Sequence, residues 1–223
     1  YGTLIGAIRH NGFIPWDDDI DVVMLRSDYD RFIKICEQGA LKSKYVIQNR
    51  NTDRGFEFPI SRIGMKGTYS DDYSRRKLKS MKYTYVDVFP LDNTPDNPDQ
   101  RKRHAKNLSR WQRIIHFRMN YKYEKNSKFK LFCKTCLSLP FKCLPLSWYM
   151  KRYEQEVVKY NGVETKKCGM LCGRYGYEKE SHDIIDFKTP ILLRFEDGYF
   201  MAPKEYDKIL KQIYGNYMKL PPE

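Results

Sequence analysis

Aspartate occupies four of the five positions from Asp17 to Asp21, directly before the hydrophobic run Val22–Leu25. The chain is otherwise strongly basic, with a formal net charge of +13 over 223 residues. Carboxylates packed this closely repel one another, and burial at the start of a strand adds a desolvation cost. A fold that contains this segment must therefore give the aspartates a positively charged partner or leave them in solvent.

Residues 19–25 have the alternation of a strand that is buried on one side. Side chains of a strand point to opposite faces in turn, so Asp19 and Asp21 share one face while Ile20 and Val22 share the other. Two carboxylates on one face of a rigid strand can grip a hard cation. Mg²⁺ prefers oxygen ligands and keeps substrate phosphates in its coordination shell. The sequence therefore indicates a Mg²⁺ site, with Mn²⁺ as the alternative cation.

A third carboxylate for this site is expected in TYVDVFPLD, residues 84–92. Asp87 is flanked by valines in a predicted strand, which is a costly position for a charge without a partner. Asp92 follows a proline and is interpreted as a turn residue. The alternative interpretation is that the acidic run is a solvated loop or a helix cap, as aspartate-rich turns commonly are. The matching acid in the middle of a later strand favours the metal site.

Positive charge is concentrated in the middle of the chain, where Arg101–Arg152 contains fifteen lysines and arginines and a single acid, Glu124. Aromatic residues are interleaved with these charges, and thirteen of the twenty residues in Leu131–Met150 are apolar. Prolines and lysines interrupt that stretch, which is too broken to span a bilayer. Three interpretations stay open, in decreasing order of preference: solvated helices packed on the domain, a helix on an anionic membrane surface, and a site for single-stranded nucleic acid.

The order of the predicted elements favours an α+β fold with a small sheet, because helices and strands alternate irregularly. Helices are predicted at 2–10, 28–38, from Asp96–Asp99 to Tyr123, at 148–160 and at 203–215. Strands are predicted at 19–25, 45–48, 57–63 and 83–89. Ser27 is the expected cap of the second helix. Asp197-Gly198 is the expected turn of a hairpin within PILLRFEDGYFMAP.

Other phosphate and hydrolase motifs are absent from the sequence, which has no G-x-x-x-x-G-K-[ST], G-x-G-x-x-G, G-x-S-x-G or H-E-x-x-H. The six cysteines are interpreted as reduced thiols of a cytoplasmic protein, since a chain of this size needs no disulfide framework. A structural zinc site that combines Cys133 and Cys136 with Cys168 and Cys172 is the weaker alternative.

The segment GTLIGAIRHNGFIPWDDDIDVVM closely resembles the opening motif of LicD-type phosphotransferases, the group that includes fukutin and fukutin-related protein. YVDVFPLD, FEDGYFMAP and YGNYMKLPPE agree with this family in the same order. The resemblance implies a nucleotidyltransferase-like (polymerase-beta-like) fold, with a small mixed sheet and helical elaborations. It also implies a single LicD-type catalytic domain over residues 1–223, with a basic, aromatic-rich helical insertion at about 97–162.

The resemblance implies a transfer of a phospho-alcohol from a CDP-activated donor to a glycan hydroxyl, with release of CMP. Phosphocholine from CDP-choline is the expected group, and ribitol phosphate is the group of fukutin-type members. The acceptor would be a precursor of lipopolysaccharide, teichoic acid or capsule. Because such acceptors are often carried on lipids, the basic segment is expected to contact an anionic membrane on its cytoplasmic face.

The same resemblance places Asp19 and Asp21 at the Asp-x-Asp of the fold and Asp87 at its third acid, so these residues are the expected metal ligands. Asp17 and Asp18 remain alternative ligands, because the aspartate run allows a shift of register. Gly2 and Thr3 stand at the helix-opening pair and are expected to offer backbone amides to phosphate.

Two further residues and one catalytic role complete the expected site. Arg9 and His10 are expected to add positive charge near the phosphates, and Asp87 is the candidate base for the acceptor hydroxyl. Two other functions stay open: a nucleotidyltransferase that acts on a protein, RNA or a small molecule, and a catalytically inactive module that binds nucleic acid. On the preferred interpretation no nucleic acid partner is expected.

Overall fold

The structure is a computed structural model that describes residues 1–53, 55–56, 58–70, 80–119, 141 and 143–220. The chain divides into two compact units. The first unit combines Tyr1–Thr94 with Thr165–Glu223, and the second is Pro95–Glu164. The bounds of the second unit are close to those of the predicted helical insertion at about 97–162. That this segment is an insertion into a single catalytic domain stays a prediction.

One mixed sheet organises the first unit. Its strands are β1 Asp21–Leu25, β2 Tyr45–Gln48, β3 Ser61–Met65, β4 Thr84–Thr94, β5 Lys167–Gly169 and β6 Ser181–Asp183. The strand order is β2-β3-β4-β5-β6, and β1 pairs with β4 as the one parallel neighbour among these ladders. This arrangement confirms a mixed fold of helices around a small sheet. The nucleotidyltransferase-like topology stays a prediction.

Helices and a hairpin complete the first unit. They are α1 Gly2–His10, α2 Arg26–Ile35 with a π-helical turn at Cys36–Ala40, α5 Ile185–Lys188, the hairpin β7 Pro190–Phe195 with β8 Gly198–Pro203, and α6 Tyr206–Tyr214. Ile5, Ile14, Leu210 and Tyr217 form a buried cluster that holds α1 against α6. The predicted bounds of the hairpin, of α1 and of β2 are confirmed.

Strand β4 extends to Thr94, five residues beyond its predicted end. The N–H of Asp87 donates to Ile20 on the β1 side, so the alternation of the strand turns the nitrogen of Pro90 to the opposite side. On that side the pairing with β3 ends at Val88, and the pairing with β5 begins only at Asp92. The proline therefore removes no hydrogen bond from either ladder, and the prediction of a turn at Asp92 was wrong.

Other predicted boundaries also differ from the structure. Strand β1 begins at Asp21 and not at residue 19, and β3 begins at Ser61 and not at residue 57. Helix α2 begins at Arg26, directly after the strand and without a side-chain cap, so the predicted cap at Ser27 was wrong. Helix α6 begins at Tyr206 because the chain up to Pro203 still belongs to β8.

In the part of the second unit that the structure describes, two helices pack together, α3 Pro98–Met119 and α4 Leu146–Val157, and α4 is followed by a 3-10 turn. His104 contacts the carbonyl of Glu156 through Nε2 at 2.7 Å, and Gln112 donates to the hydroxyl of Tyr153 at 3.0 Å. Residues 120–123, the end of the predicted long helix, lie outside the described residues. Among the helices that are described, none has the length and apolar character needed to cross a membrane.

Candidate active site

The N-terminus of α1 lies against the start of β1. Thr3 accepts a hydrogen bond at its Oγ1 from the N–H of Asp21, at 2.9 Å. A Cβ atom on Gly2 would lie 3.0 Å from Oδ2 of Asp17, which is tighter than nine in ten real contacts of a Cβ. Glycine therefore allows Asp17 to approach the first turn of the helix, where backbone N–H groups have no partner within the helix.

Asp21 on β1 and Asp87 on β4 are direct partners in parallel register. Partners in register point to the same face, so the two carboxylates are neighbours on one face of the sheet. Burial raises the pKa of Asp21, and the negative charges of Asp87, Asp19 and Asp17 raise it further. This register places Asp21 beside Asp87, as the sequence predicted.

Asp19 belongs to a second part of the acidic site. Its carboxylate lies with those of Asp17 and Asp18, with ligand oxygens all within 4.8 Å of one another. All three precede β1, so strand alternation is not what places Asp19 near Asp21. Together the two parts offer only carboxylate oxygens, which are the ligands that Mg²⁺ and Mn²⁺ prefer. The residues present therefore fit a hard divalent cation.

Arg62 on β3 is a member of the site that sequence reasoning missed. It is the direct antiparallel partner of Asp87, and its Nε lies 2.5 Å from Oδ1 of that carboxylate. The guanidinium is buried and stacks on the ring of Tyr85, 4.1 Å from the ring centroid. A lone charge within the strand SRIGM was the available signal, since it matches the lone Asp87 in the next strand.

Arg9 and His10 lie at the C-terminal end of α1, about 10 Å along the helix from Gly2. Arg9 donates from Nη1 to the carbonyl of Tyr217 and from Nε to Nε2 of His10, both at 2.9 Å. Within the described residues neither side chain forms an ion pair with an aspartate. The structure thus brings Gly2 and Thr3 to the acidic residues. It joins Arg9 to the C-terminal segment, and it places the His10 ring edge-to-face with Trp16, with centroids 6.3 Å apart.

The comparison with known families decides which family the chain belongs to. Residues 1–140 match the family model described as LicD/FKTN/FKRP, nucleotidyltransferase domain. The chain is a member of the LicD family. It is therefore an enzyme, which confirms the activity expected from its resemblance to LicD-type transferases.

Three relatives show how far the likeness to known sequences extends. Lipopolysaccharide cholinephosphotransferase LicD of Haemophilus influenzae is 31% identical over 224 residues, which cover the whole chain and 82% of that protein. The uncharacterized protein RP689 of Rickettsia prowazekii is 27% identical over 111 residues, 40% of either chain. The uncharacterized protein RT0683 of Rickettsia typhi is 49% identical over 37 residues, 17% of this chain and 12% of that protein.

The FEDG segment of this LicD protein fixes the loop that leads into the acidic site. Glu196, at the turn between β7 and β8, accepts the N–H of Phe13 at 2.9 Å, and its own N–H donates to Asn11 at 2.8 Å. Gly12 lies against the Glu196 carboxylate, where any side chain would collide. A distant motif therefore positions the residues that precede Asp17–Asp21.

The VFPLD segment contributes a second buried ion pair. Asp92, at the end of β4, accepts from Nε and Nη2 of Arg26 at 2.7 and 3.0 Å. Arg26 opens α2, so the pair joins this helix to the sheet next to the C-terminal end of β1. The carboxylate is 1% exposed and the pKa of Arg26 is raised by the pairing, against the effect of its burial.

Cys168 and Cys172 lie in an apolar environment, whereas Cys143 is exposed. Cys168 is buried with Leu91 and Met170, and Cys172 packs against the same cluster. Burial raises the pKa of both thiols to about 12. Residues 133 and 136, the other half of the zinc hypothesis, lie outside the described residues.

Proposed function

We propose that this LicD enzyme transfers phosphocholine from CDP-choline to a hydroxyl of a cell-surface glycan and releases CMP, in a reaction that depends on Mg²⁺. The observation that carries the proposal is the pair Asp21–Asp87, placed beside Asp17–Asp19 at the N-terminus of α1. The relative from Haemophilus influenzae, named as a lipopolysaccharide cholinephosphotransferase, supports the choice of phosphocholine and of a glycan acceptor.

The carboxylates of Asp19, Asp21 and Asp87 would hold the cation, with Asp17 and Asp18 as further ligands. When bound there, Mg²⁺ or Mn²⁺ supplies positive charge that offsets the charge developing on the leaving CMP. Arg62 holds the carboxylate of Asp87 in place through their ion pair, which suits a metal ligand. That Asp87 acts as the base for the acceptor hydroxyl stays a prediction.

The chemical step is a displacement at the phosphorus next to choline. The acceptor hydroxyl oxygen forms a bond to this phosphorus, and the bond to the bridging oxygen breaks, so CMP leaves with the electron pair. The hydroxyl proton passes to one of the carboxylates of the site. Amides of the first turn of α1, at Gly2 and Thr3, donate to the phosphates.

Arg9 and His10 have a different role in this proposal from the one expected of them. The hydrogen bond from Arg9 to the carbonyl of Tyr217 holds the end of α1 to the C-terminal segment, and Arg9 also donates to His10. Such bonds position the loop that follows α1. Direct binding of phosphate by either residue stays a prediction.

The second unit supports a cytoplasmic enzyme that works at an anionic membrane surface. Helix α3 exposes a row of basic side chains, and five of them are Lys102, Arg103, Lys106, Arg110 and Arg113. Clustered lysines and arginines close to an anionic membrane each contribute about 1 kcal/mol to the free energy of binding its lipid headgroups. This surface would hold the enzyme where lipid-linked glycans are made.

The decisive test is a thermal-shift titration with CDP-choline, CDP-ribitol, CDP-glycerol and CTP, each with and without Mg²⁺, followed by product analysis. We expect a Mg²⁺-dependent increase in Tm with CDP-choline, and CMP as the nucleotide product. A shift with CTP alone, or release of pyrophosphate, would show a nucleotidyltransferase instead. Salt-sensitive binding of oligonucleotides without any nucleotide-dependent shift would show a nucleic-acid-binding module.

A further inference from the structure

Three tyrosines form a cluster beside the acidic site. The rings of Tyr1 and Tyr175 are edge-to-face with centroids 6.4 Å apart, and those of Tyr175 and Tyr214 are edge-to-face at 4.9 Å. The hydroxyl of Tyr214 donates to that of Tyr175 at 3.0 Å. The cluster thus joins the residue before α1, a loop and the end of α6 into one aromatic surface.

The position of the cluster relates it to the donor phosphates. Tyr1 directly precedes Gly2, and Gly2 contacts the carboxylate of Asp17. The charge of Asp17 also acts on Tyr214, whose pKa is raised chiefly by burial and by its bond to Tyr175. Both outer tyrosines are half-buried, whereas Tyr175 is 44% exposed, so part of its ring is open to a ligand.

A buried carboxylate lies under this aromatic surface. Glu180 is 2% exposed and accepts the N–H of Tyr175 at 3.3 Å. Its carboxylate lies against Gly173, where any Cβ would collide with it. Burial raises the pKa of Glu180, against the backbone N–H groups of Tyr175, Gly176 and Arg174, which stabilise its charged form. Within the described residues no lysine or arginine forms an ion pair with it. A cation near Tyr1 and Tyr175 would therefore stabilise the charged form.

We propose that Tyr1, Tyr175 and Tyr214, with Glu180 beneath them, bind the quaternary ammonium group of the donor. Aromatic faces attract such cations, which cannot donate hydrogen bonds, and a carboxylate adds long-range attraction. Choline places its nitrogen two carbons from the phosphate oxygen. A site that adjoins the phosphate-binding end of α1 therefore has the position that this group requires. The inference rests on the proposed function, since it assigns the part of the same site that selects choline.

The test compares CDP-choline with its neutral isostere, the CDP ester of 3,3-dimethylbutanol, in which carbon replaces nitrogen. Calorimetric titration of the purified chain with Mg²⁺ measures Kd for both ligands. For Tyr175→Leu we expect CDP-choline to bind about 5- to 30-fold more weakly, and the isostere to change less than about twofold. Glu180→Gln should weaken CDP-choline selectively in the same way. Tyr199→Leu, an exposed tyrosine of the hairpin, is the matched control.

Each other result has a distinct meaning. Tyr214→Phe keeps the ring and loses only the hydroxyl, so it should keep the preference for CDP-choline. That result would show that a substitution in the cluster can leave the fold intact. An equal loss for both ligands in Tyr175→Leu, or no loss for either, would overturn the ammonium site while the proposed function stands. If the wild-type chain binds CDP-glycerol or CTP but not CDP-choline, the proposed donor is wrong and the inference falls with it.

Discussion

Asp21 on β1 and Asp87 on β4 lie side by side as direct partners in parallel register, and only Asp87 has a guanidinium partner among the described residues. The sheet thus places two acids next to each other, with Arg62 on the far side of Asp87. Burial and the neighbouring carboxylates raise the pKa of Asp21, whereas Asp87 is paired with the guanidinium of Arg62. This asymmetry allows the effects of metal and of mutation to be separated.

Replacing Asp21 with asparagine should remove turnover without harming the fold. The amide removes the electrostatic repulsion with Asp87, so without metal we expect the variant to unfold at a temperature no lower than the wild type. We expect kcat to fall roughly a thousandfold, because charge stabilisation by a metal is worth several kcal/mol and 1.4 kcal/mol is tenfold. Thermal unfolding in EDTA and in Mg²⁺, with a CMP-release assay, measures both effects.

The control for this substitution is Asp28→Asn, which changes an exposed aspartate at the start of α2. It should keep both the activity and the Mg²⁺-dependent increase in Tm. An Asp21→Asn variant that retains activity would show that this carboxylate does not belong to the reaction.

Arg62→Met should make folding more dependent on metal. Methionine keeps much of the packing against Tyr85, but it leaves Asp87 buried and without its ion pair. We expect the free energy of unfolding in EDTA to fall by about 3–5 kcal/mol. Mg²⁺ should then raise Tm more in the variant than in the wild type, because a bound cation replaces the lost charge.

Two other arginine substitutions serve as an intermediate case and a control for the Mg²⁺ response of Arg62→Met. Arg62→Lys keeps a charge but not the planar fork, so it should lie between the wild type and Arg62→Met. Arg194→Met changes an exposed arginine of β7 and should leave the response to Mg²⁺ unchanged. An identical Mg²⁺ response in Arg62→Met and wild type would place Asp87 outside the metal site.

The sequence predicted those parts of the fold whose signal is local. The hairpin has apolar strands around Asp-Gly, and α1 has a clear apolar stripe, so both were predicted with correct bounds. Strands β5 and β6 have three residues each, which is too short for a recognisable alternation. They exist because they extend the edge of β4, and this long-range pairing leaves no local pattern.

The same distinction applies to the candidate site. Asp21 and Asp87 could be found because Asp21 opens a hydrophobic strand and Asp87 lies inside one. Arg62 carried the same signal but its strand was misplaced toward residue 57, so its register with Asp87 was hidden. Glu180 and Tyr175 join the site only through a loop whose path no sequence pattern indicated.

The ion pair between Arg26 and Asp92 predicts a large loss of stability from a small change. Asp92→Asn should lower the free energy of unfolding by about 3–5 kcal/mol, because it leaves the partly buried guanidinium without its charged partner. Asp30 contacts the same arginine from the helix surface and is 63% exposed, so Asp30→Asn should cost less than about 1 kcal/mol. Urea unfolding of both variants measures the difference, and equal losses would contradict the buried pair.

The buried side chain of His182 is expected to make the stability of the protein sensitive to acid. It is 1% exposed, its Nδ1 has no hydrogen-bond partner among the described residues, and burial lowers its pKa to about 4. The unfolded chain therefore takes up the proton first, near pH 6.5, and stability falls as the pH drops from there to about 4. The loss from this group approaches about 3 kcal/mol, at 1.36 kcal/mol per pKa unit. His182→Gln should remove most of this acid-induced loss of stability, as urea unfolding at pH 7 and pH 4.5 would show.

The control is His116→Gln, at an exposed position on α3, which should lose as much stability between pH 7 and pH 4.5 as the wild type does. An undiminished loss in His182→Gln would assign the acid sensitivity to other groups.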